Sequence, residues 1–194
     1  MAWPKEKKEY TRKHIVEIAT ALFMRHGYDA ISIEDIMVKA KLTRGGFYNH
    51  FSSKSALYHE SIFSAIEQGK AFFAKTGKGN LNDFIKYYLS YEHYSSPTVC
   101  PLSSITPDIT RRSENIRQAY DQSLSAFIKG IQEKSYDKNT QKKISRQQAL
   151  QIATLLIGGM TLARAINNQD TIREILSVSQ KNALTVLDNG KISG

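Results

Sequence analysis

Apolar residues near the start of the chain recur every three or four positions, which predicts helices. The first apolar stripe is formed by Ile15, Ile18, Ala19, Leu22 and Phe23. This spacing is typical of one face of a helix, and we expect that helix over residues 8–26. Gly27 is expected to end it, since glycine accepts the left-handed conformation that follows many helices. Ser32 then favours a second, short helix, because its hydroxyl can accept a hydrogen bond from a free N–H group.

A third short segment, residues 44–51, contains two adjacent glycines that cost about 0.8–1 kcal/mol each inside a helix. Glycine at such a place lets the backbone approach a large flat partner closely. The outward face of this segment is expected to consist of Thr43, Arg44, Gly45, Tyr48, Asn49 and His50. Such side chains can donate to phosphates and base edges, so the three helices predict a helix-turn-helix DNA-binding unit. From spacing alone, the alternative is a three-helix cap whose polar face only meets water.

The rest of the chain shows helical rather than strand-like spacing, so we predict an all-α protein. The predicted helices cover residues 53–76, 81–94, 116–131, 147–166 and 171–187. Pro97, Pro101 and Pro107 frame a predicted loop around Cys100, because proline interrupts a helix.

The charge of the chain favours an anionic partner without identifying it. The 194 residues include 27 Lys and Arg against 18 Asp and Glu, a formal net charge of +9. The single Cys100 excludes an internal disulfide and favours a reducing cytoplasm. No apolar targeting segment begins the chain, and Arg164 interrupts the apolar stretch from Ala149 to Ile166. We therefore expect no membrane partner.

No catalytic motif is visible in the sequence. The five histidines show no metal-binding spacing, and neither a G-x-S-x-G motif nor the dinucleotide-binding glycine motif occurs. We expect no cofactor, no metal site and no enzymatic activity. An all-α enzyme and a helical interaction module are the alternatives, and a gel-shift titration separates both from a DNA-binding protein.

The helix-turn-helix segment resembles the DNA-binding signature of TetR/AcrR-family transcriptional regulators. The resembling run reads Ser32-Ile-Glu-Asp-Ile-Met-Val-Lys-Ala-Lys-Leu-Thr-Arg-Gly-Gly-Phe-Tyr-Asn-His-Phe-Ser-Ser-Lys54, followed by Ser-Ala-Leu. The resemblance extends from Ile15 to Leu57. It implies a homodimer whose N-terminal domain (residues 1–54) binds a palindromic operator in double-stranded DNA. The C-terminal helical domain (residues 55–194) would bind a small-molecule inducer. Repression is the commoner outcome in this family, although activation would use the same residues.

The resemblance also indicates which residues would contact DNA. These are Ser32, Thr43, Arg44, Gly45, Gly46, Tyr48, Asn49, His50 and Lys54. Residues 43–46 would face the groove. Lys54 would contact phosphate together with the N-terminus of its helix. Lys41 departs from the family pattern, which usually has glycine there. Either the turn differs, or stability is given up for a positive charge near DNA.

The last two predicted helices combine large and small apolar residues. The resemblance implies that they form a four-helix bundle with a second subunit, whereas spacing alone also allows an internal core pair. The residues expected at the dimer interface are Leu156, Gly159, Met160, Ala163, Ile175, Leu176, Ala183 and Leu187.

Aromatic residues on the middle helices are the candidates for an inducer site, although an aromatic stripe also fits a plain core. The candidates are Phe63, Phe73, Phe84, Tyr88, Tyr91, Tyr94, Cys100, Tyr120 and Phe127. Cys100 lies in Val-Cys-Pro-Leu-Ser-Ser, which resembles a Gly-Cys-Pro/Leu-Leu-Gly stretch in one branch of the family. Some members of that branch sense electrophiles or oxidants through a cysteine. A sensor needs a nearby positive charge, for which Arg111 and Arg112 are the candidates, whereas the alternative is an inert buried thiol.

Overall fold

The computed structural model describes residues 5–76, 80–96, 100–136 and 143–192, and all regular structure within those ranges is helical. The helices are α1 (Lys5–His26), α2 (Ile33–Lys39), a 3₁₀ helix (Arg44–Asn49), α3 (Lys54–Thr76), α4 (Leu81–Tyr88), α5 (Tyr91–Ser95), α6 (Pro101–Ile109), α7 (Glu114–Lys134), α8 (Arg146–Ala165) and α9 (Gln169–Ile192). The predicted all-α fold class is confirmed.

The first two helices end and begin where their local residues favour it. Gly27 has a φ of 80° and its N–H donates to the Phe23 carbonyl at 2.9 Å, so it closes α1 as predicted. The Ser32 hydroxyl accepts from the Asp35 N–H at 3.1 Å, and the Asp35 carboxylate accepts from the Ser32 N–H at 2.8 Å. This capping box confirms the predicted start of α2, and its hydrogen bonds lower the pKa of the Asp35 carboxyl.

The turn between α2 and the 3₁₀ helix is left-handed at Lys41, whose φ is 58°. The Leu42 N–H donates to the Met37 carbonyl at 2.8 Å, which closes the turn as in a helix end that carries glycine. Of the two alternatives for Lys41, the structure therefore favours an unchanged turn that accepts about 1 kcal/mol of backbone strain.

Replacing Lys41 by glycine is expected to raise the free energy of unfolding by about 0.5–1 kcal/mol, because glycine adopts this φ without a Cβ penalty. Lys41→Ala is the matched control, since it removes the same charge but keeps the Cβ. Chemical denaturation compares the two variants. Equal stability of the two would show that the turn is not strained.

The helix predicted over residues 81–94 is interrupted, so that prediction is wrong at Leu89 and Ser90. The Ser90 hydroxyl accepts a hydrogen bond from the His93 N–H at 3.0 Å, which begins α5 after α4 has ended. A capping serine competes with continuation of a helix because it satisfies N–H groups locally. The break places the His93 ring beside that of Tyr88, with 5.2 Å between their centroids.

The loop predicted around Cys100 is also wrong, because α6 begins directly after this residue. Pro101 occupies the first helical position, where its missing N–H costs nothing. Pro107 lies inside α6 and cannot donate to the Ser103 carbonyl, but the Thr161 hydroxyl of α8 donates to that carbonyl instead at 3.0 Å. Pro97 lies outside the described residues.

The packing of α8 against α9 takes up most of the residues expected at the dimer interface. Among those eight residues, all except Ile175 are buried within a single chain. A Cβ at Gly159 would lie 2.8 Å from the Ser179 Cβ, so this glycine allows the two helices to approach each other inside the subunit. Burial of these seven residues in a single chain favours the alternative, an internal core pair, and the dimer interface stays a prediction.

Helix α3 packs against α1, α6 and α7 and so connects the N-terminal helices to the rest of the chain. Arg12 of α1 forms an ion pair with Glu60 of α3, with 2.6 Å between Nη1 and Oε2, and the Thr20 hydroxyl donates to the Ser61 carbonyl at 3.4 Å. The buried apolar residues form one cluster across this junction. The division of the chain at residue 54 therefore stays a prediction.

Candidate nucleic-acid interface and ligand cavity

The 3₁₀ helix presents a polar face to solvent. Arg44 and Tyr48 are prominent on it, since the Arg44 side chain is 70% exposed and Tyr48 is 62% exposed. Thr43, Gly45 and Asn49 are exposed as well. Arg44 lies 3.9 Å from the Glu34 carboxylate, and an ion pair between two such exposed side chains contributes little and is easily exchanged for a phosphate or a base.

Phe47 anchors this face to the N-terminal helices. It is 0% exposed, and its ring lies against those of Phe51 and Tyr48 at centroid distances of 5.7 and 5.2 Å. The guanidinium of Arg12 lies over the Phe51 ring at 4.6 Å. Aromatic packing on its buried side therefore holds the short helix in place. The exposed side is not needed for that packing and can contact a partner.

The two adjacent glycines differ in their surroundings. A Cβ added at Gly45 would meet nothing within 4 Å, so this position is open towards solvent. A Cβ at Gly46 would contact the Thr43 hydroxyl at 3.5 Å and the Met37 methyl at 3.9 Å. A Cβ at Gly46 would thus point into the unit itself, and the expectation that the Gly46 backbone faces a groove stays a prediction.

Ser32 and His50 are less available than the other expected DNA-binding residues. The Ser32 hydroxyl donates to the Asp35 carboxylate at 2.6 Å as part of the α2 cap. His50 is half-buried, and its buried Nδ1 makes no hydrogen bond to the described residues. Burial, followed by the nearby charges of Lys8 and Arg12, lowers the pKa of the His50 imidazole. Neutral His50 therefore contributes no charge near pH 7.

Lys54 begins α3, as predicted, and its ammonium lies 4.2 Å from the centre of the Tyr28 ring. The Ser53 hydroxyl accepts from the Ala56 N–H at 3.0 Å, which caps the same end of the helix. A lysine beside a helix N-terminus is a favourable arrangement for an anion such as phosphate. Lys8, which reasoning from the sequence missed, adds a further positive charge near His50.

The N-terminal helices meet the end of α6 at an aromatic and ionic junction. The Tyr58 hydroxyl donates to the Asp108 carboxylate at 2.7 Å, and Arg112 donates to the same carboxylate through Nε at 2.7 Å. The Arg112 guanidinium also lies over the rings of Tyr28 and Tyr58, at 5.0 and 4.6 Å. Burial and Asp108 raise the pKa of the Tyr58 hydroxyl, which keeps it a donor.

A cavity of about 290 Å³ lies between α1, α3, α4, α5, α6 and α7. Its wall includes five of the expected ligand-binding residues, namely Phe73, Phe84, Tyr88, Cys100 and Phe127. It also includes Phe72, His93 and Leu102, which reasoning from the sequence missed. Gly130 makes room for this wall, because a Cβ there would overlap the Phe73 ring. α6 begins at the cavity with Cys100 and ends at the Asp108 junction.

The other four expected ligand-binding residues lie elsewhere among the described residues. Phe63 is 38% exposed, and its ring faces His59 at 5.3 Å. The Tyr91 hydroxyl donates to the Gln169 side chain at 2.9 Å, and the Tyr94 ring packs on Tyr91 at 5.4 Å. The Tyr120 hydroxyl lies 2.5 Å from that of Thr106. None of these four lines the cavity in the described part of the chain.

Polar side chains gather at one end of the cavity. His93 is 0% exposed and Tyr88 1%, and Arg164 lies close enough for its charge to affect the pKa of both. Burial, followed by the Arg164 charge, lowers the pKa of the His93 imidazole to about 4. Burial, followed by the nearby Cys100 thiol, raises the pKa of the Tyr88 hydroxyl. Both side chains are therefore neutral near pH 7.

Arg164 is the cation near Cys100, and this corrects the expectation for Arg111 and Arg112. Arg112 is engaged with Asp108, whereas the half-buried Cys100 affects the pKa of the Arg164 guanidinium. Arg111 is exposed.

The described residues offer neither a metal site nor a membrane-spanning helix. No group of three or more His, Cys, Asp or Glu side chains there has a geometry that could hold a metal ion. No helix within the described ranges is both long enough and apolar enough to cross a membrane.

Comparisons with known proteins agree with this geometry. The family model described as bacterial regulatory proteins, tetR family, matches residues 15–61. The chain is 28% identical over 159 residues to the Transposon Tn10 TetC protein of Escherichia coli. That alignment covers 76% of this chain and 81% of the TetC protein. It is 23% identical over 132 residues to the transcriptional repressor NemR of Escherichia coli strain K12. That alignment covers 64% of this chain and 66% of NemR.

A solved structure shows the same fold. The TetR transcriptional regulator from Chloroflexus aurantiacus superimposes with a TM-score of 0.76 at 23% identity, covering 94% of this chain and 96% of that one. The expectation that the chain is not an enzyme is confirmed, because its relatives and structural neighbours are regulators. The sequence match over the helix-turn-helix, the relatives and the fold together support a transcriptional regulator of the TetR family.

Proposed function

We propose that this regulator is a ligand-responsive repressor that binds a palindromic operator as a homodimer. The observation that carries the proposal is the exposed polar face of the 3₁₀ helix, held from below by the fully buried Phe47. Relatives that are named repressors support repression as the outcome. A gel-shift titration with the DNA upstream of the regulator's own gene tests it, and no preference for any genomic fragment over random duplex would refute it.

Arg44 is proposed to contact a base edge, whereas Lys54 is proposed to contact phosphate. Arg44→Ala is then expected to weaken operator binding by about 1–3 kcal/mol and to relax the preference at one position. Lys54→Ala is the matched control, since it should weaken binding to all sequences alike and reduce the salt dependence by about one released ion. Fluorescence anisotropy on operator and random duplexes measures both. A uniform loss from Arg44→Ala would contradict its role in specificity.

The dimer is proposed to form through the outer face of α8 together with α9. Along α8, Thr154, Gly158, Leu162 and Ala165 form a row at helical spacing, and a Cβ at Gly158 would meet nothing within 4 Å. Leu162 is 58% exposed and Val178 of α9 is 59% exposed in a single chain. To bind both half-sites of an operator, the two 3₁₀ helices of such a pair must lie about 34–36 Å apart, one turn of DNA.

The ligand response is proposed to depend on the cavity and on α6. The first residues of α6, Pro101 and Leu102, line the cavity, and its last turn holds Asp108 against Tyr58. A ligand that prefers another position of α6 would therefore shift the junction with the N-terminal helices. Such a ligand can lower DNA affinity only by as much as its own affinity differs between the DNA-binding arrangement and the shifted one.

An electrophile is the second candidate inducer, because Cys100 lines the cavity near the charge of Arg164. If the thiol is the sensor, N-ethylmaleimide or peroxide releases the wild-type protein from its operator, and Cys100→Ser is expected to abolish that release. The gel shift is run with and without each reagent. An unchanged response in Cys100→Ser would show that the thiol is inert.

A further inference from the structure

Tyr88 and His93 form the polar end of the cavity wall, Arg164 lies close to both without belonging to the described lining, and each of the three carries an atom without a hydrogen-bond partner. These atoms are the Tyr88 hydroxyl, both ring nitrogens of His93 and Nη2 of Arg164, all of them buried. Buried polar atoms in folded proteins nearly always have a partner. Tyr88 and His93 belong to the cavity wall, so the His93 nitrogens and the Tyr88 hydroxyl, which also lies close to the Cys100 and Ser103 side chains, can bind what enters the cavity.

The charge at this end is positive and lacks a carboxylate. Nη1 of Arg164 donates to the hydroxyls of Ser103 and Ser104, at 3.1 and 3.2 Å, and no ion pair of Arg164 is found within the described ranges. Burial lowers the pKa of the Arg164 guanidinium, while Tyr88 and Cys100 raise it. A buried cation is costly unless an anion accompanies it, so the natural complement of this end is a negative charge.

Tyr88 and His93 can supply the remaining hydrogen bonds to an anion. Neutral His93 carries one N–H, and the phenol of Tyr88 keeps its proton because burial raises its pKa. Both groups face the cavity, and the Arg164 charge acts on both. A carboxylate head placed against them would therefore accept two hydrogen bonds within range of the guanidinium, and hydrogen bonds to a charged acceptor are the strong ones.

The rest of the wall fits an apolar body. Phe72, Phe73, Phe84, Phe127 and Leu102 line it, and no Asp or Glu occurs among the described lining residues. Phe73 and Phe84 meet edge to face at 4.8 Å, which leaves aromatic surfaces towards the space. At about 290 Å³ the cavity lies at the small end of ligand sites. The ligand is therefore a small amphiphile.

We propose that the cavity binds a small aromatic or aliphatic carboxylate, with its charged head at Tyr88 and His93, close to the Arg164 charge, and its apolar body among the phenylalanines. As an account of the inducer this rests on the proposed function, but binding itself does not require DNA. Isothermal titration of the full-length protein tests it with two matched pairs, β-naphthoate against β-naphthamide and octanoate against octanamide. At least one acid is expected to bind about tenfold or more tightly than its amide.

Arg164→Met is expected to reduce that acid-over-amide preference to about threefold or less, whereas Lys70→Met at the cavity wall is expected to leave it nearly unchanged. If circular dichroism shows that Arg164→Met does not fold, Tyr88→Phe replaces it, since it keeps the ring and removes one donor. An amide that binds as tightly as its acid, binding of neither acid, or a preference that survives both variants would overturn the proposal. If the acids bind but do not release operator DNA, the carboxylate site is supported. That result would contradict only the proposed release of DNA by a ligand.

Discussion

Phe47→Ala is expected to lower the free energy of unfolding by about 3–5 kcal/mol and to abolish operator binding. Phe47 is 0% exposed and is the buried anchor of a helix only six residues long, which has too few hydrogen bonds of its own to persist. Its loss leaves a cavity beneath the face that carries Arg44 and Tyr48. Chemical denaturation and anisotropy with operator DNA measure the two effects.

Tyr48→Ala is the control for this substitution, because Tyr48 is adjacent and aromatic but 62% exposed. Its stability is expected to stay within about 0.5 kcal/mol of the wild type, while operator affinity falls. If Phe47→Ala bound DNA normally, the 3₁₀ helix would not be the element that the proposed interface requires.

Leu162→Arg is expected to convert the dimer into monomers and to weaken operator binding by about a hundredfold or more, since one half-site cannot replace two linked ones. Leu162 is 58% exposed on a single chain, so the substitution should leave the fold of the subunit intact. In the proposed dimer, however, it would bury an unpaired charge. Sedimentation velocity gives the oligomeric state, and gel shifts give the affinity.

Tyr136→Arg is the matched control, because Tyr136 is 50% exposed and lies after α7 rather than on α8 or α9. It should stay dimeric and bind DNA as the wild type does. A Leu162→Arg protein that remained dimeric would place the subunit interface on another surface.

The N-terminal unit could be predicted from sequence because its signals are local. Gly27 ends α1 and Ser32 begins α2 through contacts within four residues along the chain. Lys41 illustrates the limit of such reasoning, since the sequence alone left two alternatives for its turn. The structure distinguishes them through a φ of 58°.

The middle of the chain was less predictable because distant contacts decide it. Pro107 reads as a helix breaker, yet α6 continues because Thr161, far along the chain, donates to the carbonyl that proline leaves free. The sequence does not indicate that His93 lies beside Tyr88, because the two residues are five positions apart, which is not helical spacing. Only the break at Ser90 brings the two rings together.

The dimer face is hard to predict from the sequence because α8 is apolar on more than one side. Its large residues, such as Leu156 and Met160, are buried inside the subunit, whereas Leu162 faces outward. Periodicity cannot tell which apolar face meets a neighbouring helix and which meets a second chain. Arg164 was visible as a charge within this apolar helix, and a charge there is a signal for a buried functional group.

The most direct test of the account is a footprint of the full-length protein on the DNA upstream of its gene, combined with the stoichiometry of the complex. The account predicts a protected palindrome with half-sites about one helical turn apart, one pair of subunits per site, and loss of protection in Arg44→Ala. A monomer that protects no segment in preference to random duplex would contradict it.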